Sequence, residues 1–261
     1  MARITTDDGV ELEYEVLGEG ETTLLQLPEW GNSLESMRWT EPLTSEGIRV
    51  AAYERRGTGR SDRPEPSDDS YTVERLTADA VGFADRLQPG PLVVLAGFEA
   101  AHNAVRLAAA RPGRVVGLVL MGPMLAPVAD RPLQVMWESL IARGMSYALR
   151  SVADLALSNL PDEERERFAR SLEGHVDGDV LLAMWRSVDV TDSRSFLDGV
   201  HGPALVLSGT ADIAIPREWS ARTAERLPNG RLIEIDGAAT TIPATHAAEA
   251  RAAILDLVRG L

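Results

Sequence analysis

The residue best placed to do chemistry is Glu99. Pro91 to Ala96 is a short, continuously apolar run that reads as a buried strand. It passes through Gly97-Phe98-Glu99-Ala100-Ala101 into a stretch of helical spacing, Ala100 to Ala110. Small residues at 97 and 101 let strand and helix approach closely, and a tight turn of this kind pushes residue 99 into a pocket. A carboxyl group there can attack carbon directly or pass a proton as acid or base. Composition narrows the competing chemistries. Without cysteine there is no thiolate nucleophile, disulfide or thiolate metal ligand. Every basic residue other than histidine is arginine, so no lysine can form a Schiff base. The histidines are His102, His175, His201 and His246.

The elements that must position Glu99 follow from periodicity. Val10 to Val16 alternates apolar and acidic residues, as a half-exposed strand does. Thr23 to Leu27, Arg49 to Tyr53, Val115 to Met121, Ala204 to Ser208 and Arg231 to Asp236 read as further strands. Between them the spacing predicts helices over Tyr71 to Leu87, with Thr72 as N-cap, and over Arg217 to Leu227, with a closing helix from Ala247 to Arg259. Apolar strands alternating with helices imply an α/β fold: a mostly parallel twisted sheet covered on both faces. From Pro123 to Gly199 the pattern becomes helical and rich in Met, Trp, Leu and Arg. This predicts a cap insertion at 123–199 between two parts of one core, 1–122 and 200–261.

The formal charge of −14, from 40 acidic and 26 basic residues, repels phosphate backbones and anionic membranes, so neither nucleic acid nor a membrane is an expected partner. A homodimer is compatible with the sequence. The N-terminus, Met1-Ala2-Arg3-Ile4 followed by Asp7-Asp8-Gly9, has no apolar run like a signal peptide, and a cytoplasmic location is expected.

The strand, the Gly-x-X-x-small turn and the helix around Glu99 resemble the nucleophile elbow of the α/β-hydrolase superfamily, where this position bears serine, aspartate or cysteine. Three other segments extend the resemblance over nearly the whole chain. Tyr53-Glu54-Arg55-Arg56-Gly57-Thr58-Gly59-Arg60-Ser61 is similar to the family's D-x-R-G-x-G-x-S loop, with the register open by one residue. Leu205 to Pro216 resembles the strand and loop of the triad acid, which places that acid at Asp212. Ile235-Asp236-Gly237-Ala238-Ala239-Thr240 matches the stretch that carries the catalytic histidine, and here that residue is Thr240. The His-Gly turn that follows the third strand is replaced by Pro28-Glu29. The resemblance implies a two-donor anion site from the Trp30 and Ala100 N–H groups, since only backbone is needed.

Acyl transfer on this fold needs a nucleophile, a histidine to deprotonate it and a carboxylate to orient the histidine. A glutamyl ester formed at Glu99 would have no histidine-activated water to cleave it. The expectation is therefore carboxylate chemistry: Glu99, Asp212 and Glu29 converging on one apolar pocket, with burial and mutual repulsion keeping one of them protonated. Thr240, Phe98, Met124, Trp137 and Trp185, with Met136, Met145 and Met184 nearby, are expected to line that pocket for a small, largely apolar substrate. The expected function is a cofactor-independent, metal-free enzyme of isomerisation, cyclisation, elimination or epoxide opening. Two alternatives stand beside it: a binding protein that has lost catalysis, and a residual hydrolase using His246 or a carboxylate-activated water. Glu99 could also make only a structural salt bridge, for instance with an arginine of the insertion.

Overall fold

In the computed structural model, which describes residues 2–67, 69–127 and 133–261, eight strands form one sheet. In chain order they are β1 (Ala2–Thr5), β2 (Glu11–Leu17), β3 (Thr23–Gln26), β4 (Arg49–Tyr53), β5 (Leu92–Gly97), β6 (Val115–Met121), β7 (Ala204–Gly209) and β8 (Gly230–Ile235). Their spatial order is β1-β2-β4-β3-β5-β6-β7-β8. Only β1 and β2 run antiparallel to their neighbours; from β4 to β8 the sheet is parallel.

The central strands are apolar at every position because both of their faces are buried, and the side-chain period of two divides them between two cores. Leu92, Val94 and Ala96 of β5 and Leu118 and Leu120 of β6 enter one core with Phe83, Ala101, Ala104 and Val105. Val93, Leu95, Val119 and Met121 enter the other with Leu43, Ile254 and Leu257. Each Leu, Val, Ile, Phe or Met among them contributes about 1.5–3 kcal/mol of burial.

The helices are α1 (Leu34–Met37), α2 (Val73–Arg86), α3 (Ala101–Ala110), α4 (Leu133–Ile141), α5 (Met145–Ala156), α6 (Asp162–Ser171), α7 (Gly178–Val188), α8 (Arg217–Arg226) and α9 (Pro243–Arg259). Thr72 caps α2 as its sequence position predicts, its Oγ1 accepting from Arg75 N–H at 3.1 Å. Strand β1, helix α1 and the 3₁₀ stretch Arg38–Glu46 were not legible from periodicity. Helix α9 begins before the expected Ala247, and its first turn is broken at His246 (φ −126°, ψ 36°).

Helices α4 to α7 lie between β6 and β7 and share a third apolar cluster, which includes Trp137, Leu149, Leu181, Met184 and Trp185 together with Trp30 and Met124 from the core loops. The end of α5 is tied to the loop after β8: Ala156 O accepts from Thr241 N–H at 3.1 Å, and Asn159 Nδ2 donates to Gly237 O at 2.7 Å. The cap is thus anchored beside the carboxyl ends of the parallel strands, where open α/β sheets place their ligands. Among the described residues, no helix is long and apolar enough to cross a membrane.

Candidate functional site

Strand β5 ends at Gly97 in extended conformation, a 3₁₀ turn covers Phe98–Ala100, and α3 follows. The strained residue of this turn is Phe98, whose φ of 45° makes it the one non-glycine residue with positive φ among those described. In the elbow the strained residue carries the nucleophile, and the next N–H supplies the oxyanion donor. By conformation, then, Phe98 holds the nucleophile's place and Glu99 N–H the donor's. This corrects the expected register, which put Glu99 and Ala100 in those roles. The segment fits the small-x-X-x-small pattern twice, as Gly97 to Ala101 and as Ala96 to Ala100. Backbone strain separates the two readings, and spacing alone does not.

Phe98 keeps part of its surface open and meets the Trp185 ring edge-on at 5.7 Å. Glu99 instead turns inward and is 2 % exposed. Its Oε1 accepts from Trp30 N–H at 2.8 Å and from Arg55 Nη1 at 2.9 Å, while the buried Oε2 has no hydrogen-bond partner. Burial raises the Glu99 pKa; the Arg55 guanidinium and the N–H groups of Glu99 itself and Trp30 oppose that rise.

Arg55 is the functional residue that sequence reasoning missed. Its guanidinium also donates to Pro28 O at 2.5 Å and lies 2.7 Å from Met184 Sδ, so it joins the turn after β3, the elbow and the cap. The signal was present in the register. Glu54 accepts from Leu34 and Arg60 N–H, and Arg56 pairs with Asp79 and Asp8. Glu54 and Arg56 are therefore the structural D and R of D-x-R-G, and the intervening residue faces the site. The arginine that pairs with Glu99 comes from the loop after β4, not from the insertion.

Glu29 is brought to the elbow from the turn after β3. Its carboxyl presses on Gly97: a Cβ at that glycine would fall 2.2 Å from Glu29 Oε1. Enclosure by protein, followed by the charge of Glu99, pushes the Glu29 carboxyl up to about 8, against a lowering by Arg55. Asp212 does not join this pair. Its Oδ1 accepts from Ala214 and Ile215 N–H, both at 2.9 Å, and from Thr240 Oγ1 at 2.5 Å. The expected three-carboxylate cluster is thus two separate groups, Glu29 with Glu99 and Asp212 with Thr240. In the second, the Asp212 carboxylate accepts from the Thr240 hydroxyl.

His246 is not joined to Glu99. Its Nδ1 lies 2.7 Å from Thr245 Oγ1, and neither carboxylate oxygen of Glu99 bonds to it. His102 is fully buried against Ser193 Oγ at 2.9 Å, and burial lowers its pKa to about 4, so it is a neutral core residue. His175 binds Asn32 O, and His201 is exposed. Among the described residues, no group of His, Asp and Glu has the arrangement of a metal site.

Of the residues expected to line the site, Met124, Trp137 and Trp185 share one buried cluster with Phe98 packed on it, whereas Thr240 bonds Asp212 and Met136 is exposed. Trp30 and Trp137 pack edge to face at 5.3 Å, Trp137 stacks on Trp185 at 6.0 Å, and Met124 is buried in the same cluster. The family model described as "Hydrolase_4: Serine aminopeptidase, S33" matches residues 33–239. The chain belongs to that family. It is similar to a non-heme chloroperoxidase of Streptomyces lividans, 27 % identical with 94 % of this chain and 95 % of the relative covered. It is also similar to 2-hydroxy-6-oxononadienedioate/2-hydroxy-6-oxononatrienedioate hydrolase 2 of Pseudomonas putida, 26 % identical over 85 % of this chain and 82 % of the relative. Among solved structures, a bromoperoxidase from Bacillus anthracis superposes with a TM-score of 0.86 at 21 % identity, covering 99 % of this chain and 100 % of that one. The α/β-hydrolase fold expected from sequence is the observed fold. The expected isomerase, cyclase or lyase class is not supported: the relatives found carry the names of hydrolases, esterases and haloperoxidases.

Proposed function

We propose that this chain binds a small, largely apolar organic molecule between the elbow and the cap, and does not cleave it by the covalent route of its family. One observation carries this reading. Phe98 occupies the strained position of the elbow, so the atom that would attack a carbonyl is replaced by an aromatic ring packed on Trp185. Two further features agree with it. The carboxylate that would orient a histidine holds the Thr240 hydroxyl, which has no basic lone pair of comparable strength. Trp30, Trp137, Trp185 and Met124 form one apolar cluster against Phe98, surfaces that favour apolar and aromatic ligands. No cofactor enters this account.

The test combines turnover with binding. Native protein is assayed against short-chain p-nitrophenyl esters and small lactones, and its melting temperature is followed with neutral aromatic and alicyclic compounds. The expected result is hydrolysis no faster than buffer, together with saturable stabilisation by some apolar compounds. Saturable hydrolysis by native protein overturns the reading.

A second reading, hydrolysis by water without a covalent intermediate, is favoured by Glu29 alone. It is a carboxyl beside the elbow that burial and the charge of Glu99 push up to about 8. Its ionised form can take a proton from water as the water oxygen attacks a carbonyl, then return that proton to the leaving alkoxide. Such activity would rise through pH 8 and vanish in Glu29→Gln.

A further inference from the structure

The Glu99 carboxylate has an unusual position for a side chain of this fold. Its Oε1 accepts the Trp30 N–H, one donor of the anion site, and its own N–H, the other donor, also favours its charged form. The Arg55 guanidinium, 3 % exposed and anchored on Pro28 O and Met184 Sδ, completes the cradle. One backbone donor and a buried cation meet on one oxygen, with the Glu99 N–H close enough to add to the same field, which is an environment that suits a negatively charged oxygen in a water-poor site. That oxygen belongs to the chain itself. The unpartnered Oε2 beside it is part of the same buried group.

We propose that the anion site of this chain is intact and permanently filled by Glu99, a resident carboxylate ligand, and that it takes a small monocarboxylate such as formate or acetate when Glu99 is shortened. The proposal is independent of whether the native protein turns over a substrate, because it concerns only what occupies the cradle. It has a consequence for the intact protein. With Arg55 neutralised internally, an anionic ligand would have to displace Glu99 from an ion pair buried on both sides. Ligands entering beneath the cap are therefore selected for neutrality at the elbow. Removing the carboxylate while keeping Arg55 and the Trp30 N–H leaves an uncompensated buried cation, and a two-oxygen anion of acetate size restores the lost pairing.

The experiment follows thermal unfolding of native protein, Glu99→Ala and Glu99→Ala/Arg55→Met in sodium acetate, sodium formate and sodium chloride at equal ionic strength. Expected is a carboxylate-specific rise in melting temperature for Glu99→Ala. It should saturate and reach about 5–10 °C at a hundredfold excess over Kd. Native protein and the double variant should show no difference between the salts. If Glu99→Ala folds and acetate acts no differently from chloride, the proposal fails. If Glu99→Ala does not fold in chloride, its refolded yield is measured in acetate: folding restored by acetate supports the proposal, and equal failure in both salts overturns it. Esterase assays on native protein, run in parallel, report on the function proposed above and leave this result unaffected.

Discussion

Arg55 Nη1 lies 2.9 Å from Glu99 Oε1, and both side chains are almost wholly removed from solvent. The pair joins the loop after β4 to the elbow, and the same guanidinium reaches the turn after β3 and the cap. A buried ion pair gains little over an apolar replacement of equal shape, but breaking it leaves a charge with no counterpart.

Glu99→Gln and Arg55→Met should therefore each destabilise the protein by about 3–5 kcal/mol, and the double variant by clearly less than their sum. Chemical denaturation of the four proteins completes the cycle. Additive losses would show that the two groups do not depend on each other.

Glu29 sets a pH dependence whose sign is fixed. The folded value near 8 exceeds the ordinary 4.5, so between those pH values the native state holds a proton that the unfolded chain has released. Stability from this group is complete below about 4.5, declines as pH rises through the interval, and levels off above 8. Melting temperatures of native protein and Glu29→Gln, measured across that range, should converge at the acidic end and favour the variant at the alkaline end.

Gly97→Ala places a methyl carbon 2.2 Å from Glu29 Oε1, far inside van der Waals contact. A loss of about 1–3 kcal/mol is expected from overpacking. Shortening the neighbour in Gly97→Ala/Glu29→Ala should recover part of it. Equal stability of Gly97→Ala and native protein would mean that the Glu29 carboxyl does not press on the elbow.

Thr240→Val keeps the shape and removes the hydroxyl that donates to Asp212. Loss of a hydrogen bond to a charged group is expected to cost about 1.5–3 kcal/mol in unfolding free energy. Because Asp212 and Glu99 stand in separate groups, this loss should add to that of Glu99→Gln.

The fold was legible because its signals are redundant. Continuous apolar strands, the Thr72 cap and the change of pattern at 123–199 each point to one layered architecture, and small boundary errors do not disturb it. The site was legible only in part. Asp212 lies against Thr240 and Glu29 lies beside the elbow, but the three carboxylates expected to converge form two separate groups. The elbow register was not legible, because alanines and a glycine satisfy the pattern at two offsets, and the deciding quantity is a backbone angle at Phe98. The inward turn of Glu99 was hidden for a related reason. Its partner Arg55 is distant in sequence and lies in a loop whose neighbouring charges, Glu54 and Arg56, are structural.

The proposed absence of a covalent route at Phe98 is tested most directly by an acyl-transfer burst. Native protein at high concentration is mixed with p-nitrophenyl acetate, and both nitrophenolate release and intact protein mass are recorded. Release at the buffer rate and an unmodified mass are expected. A stoichiometric burst, or saturable steady release that accompanies a transient acetyl adduct, would contradict the proposal.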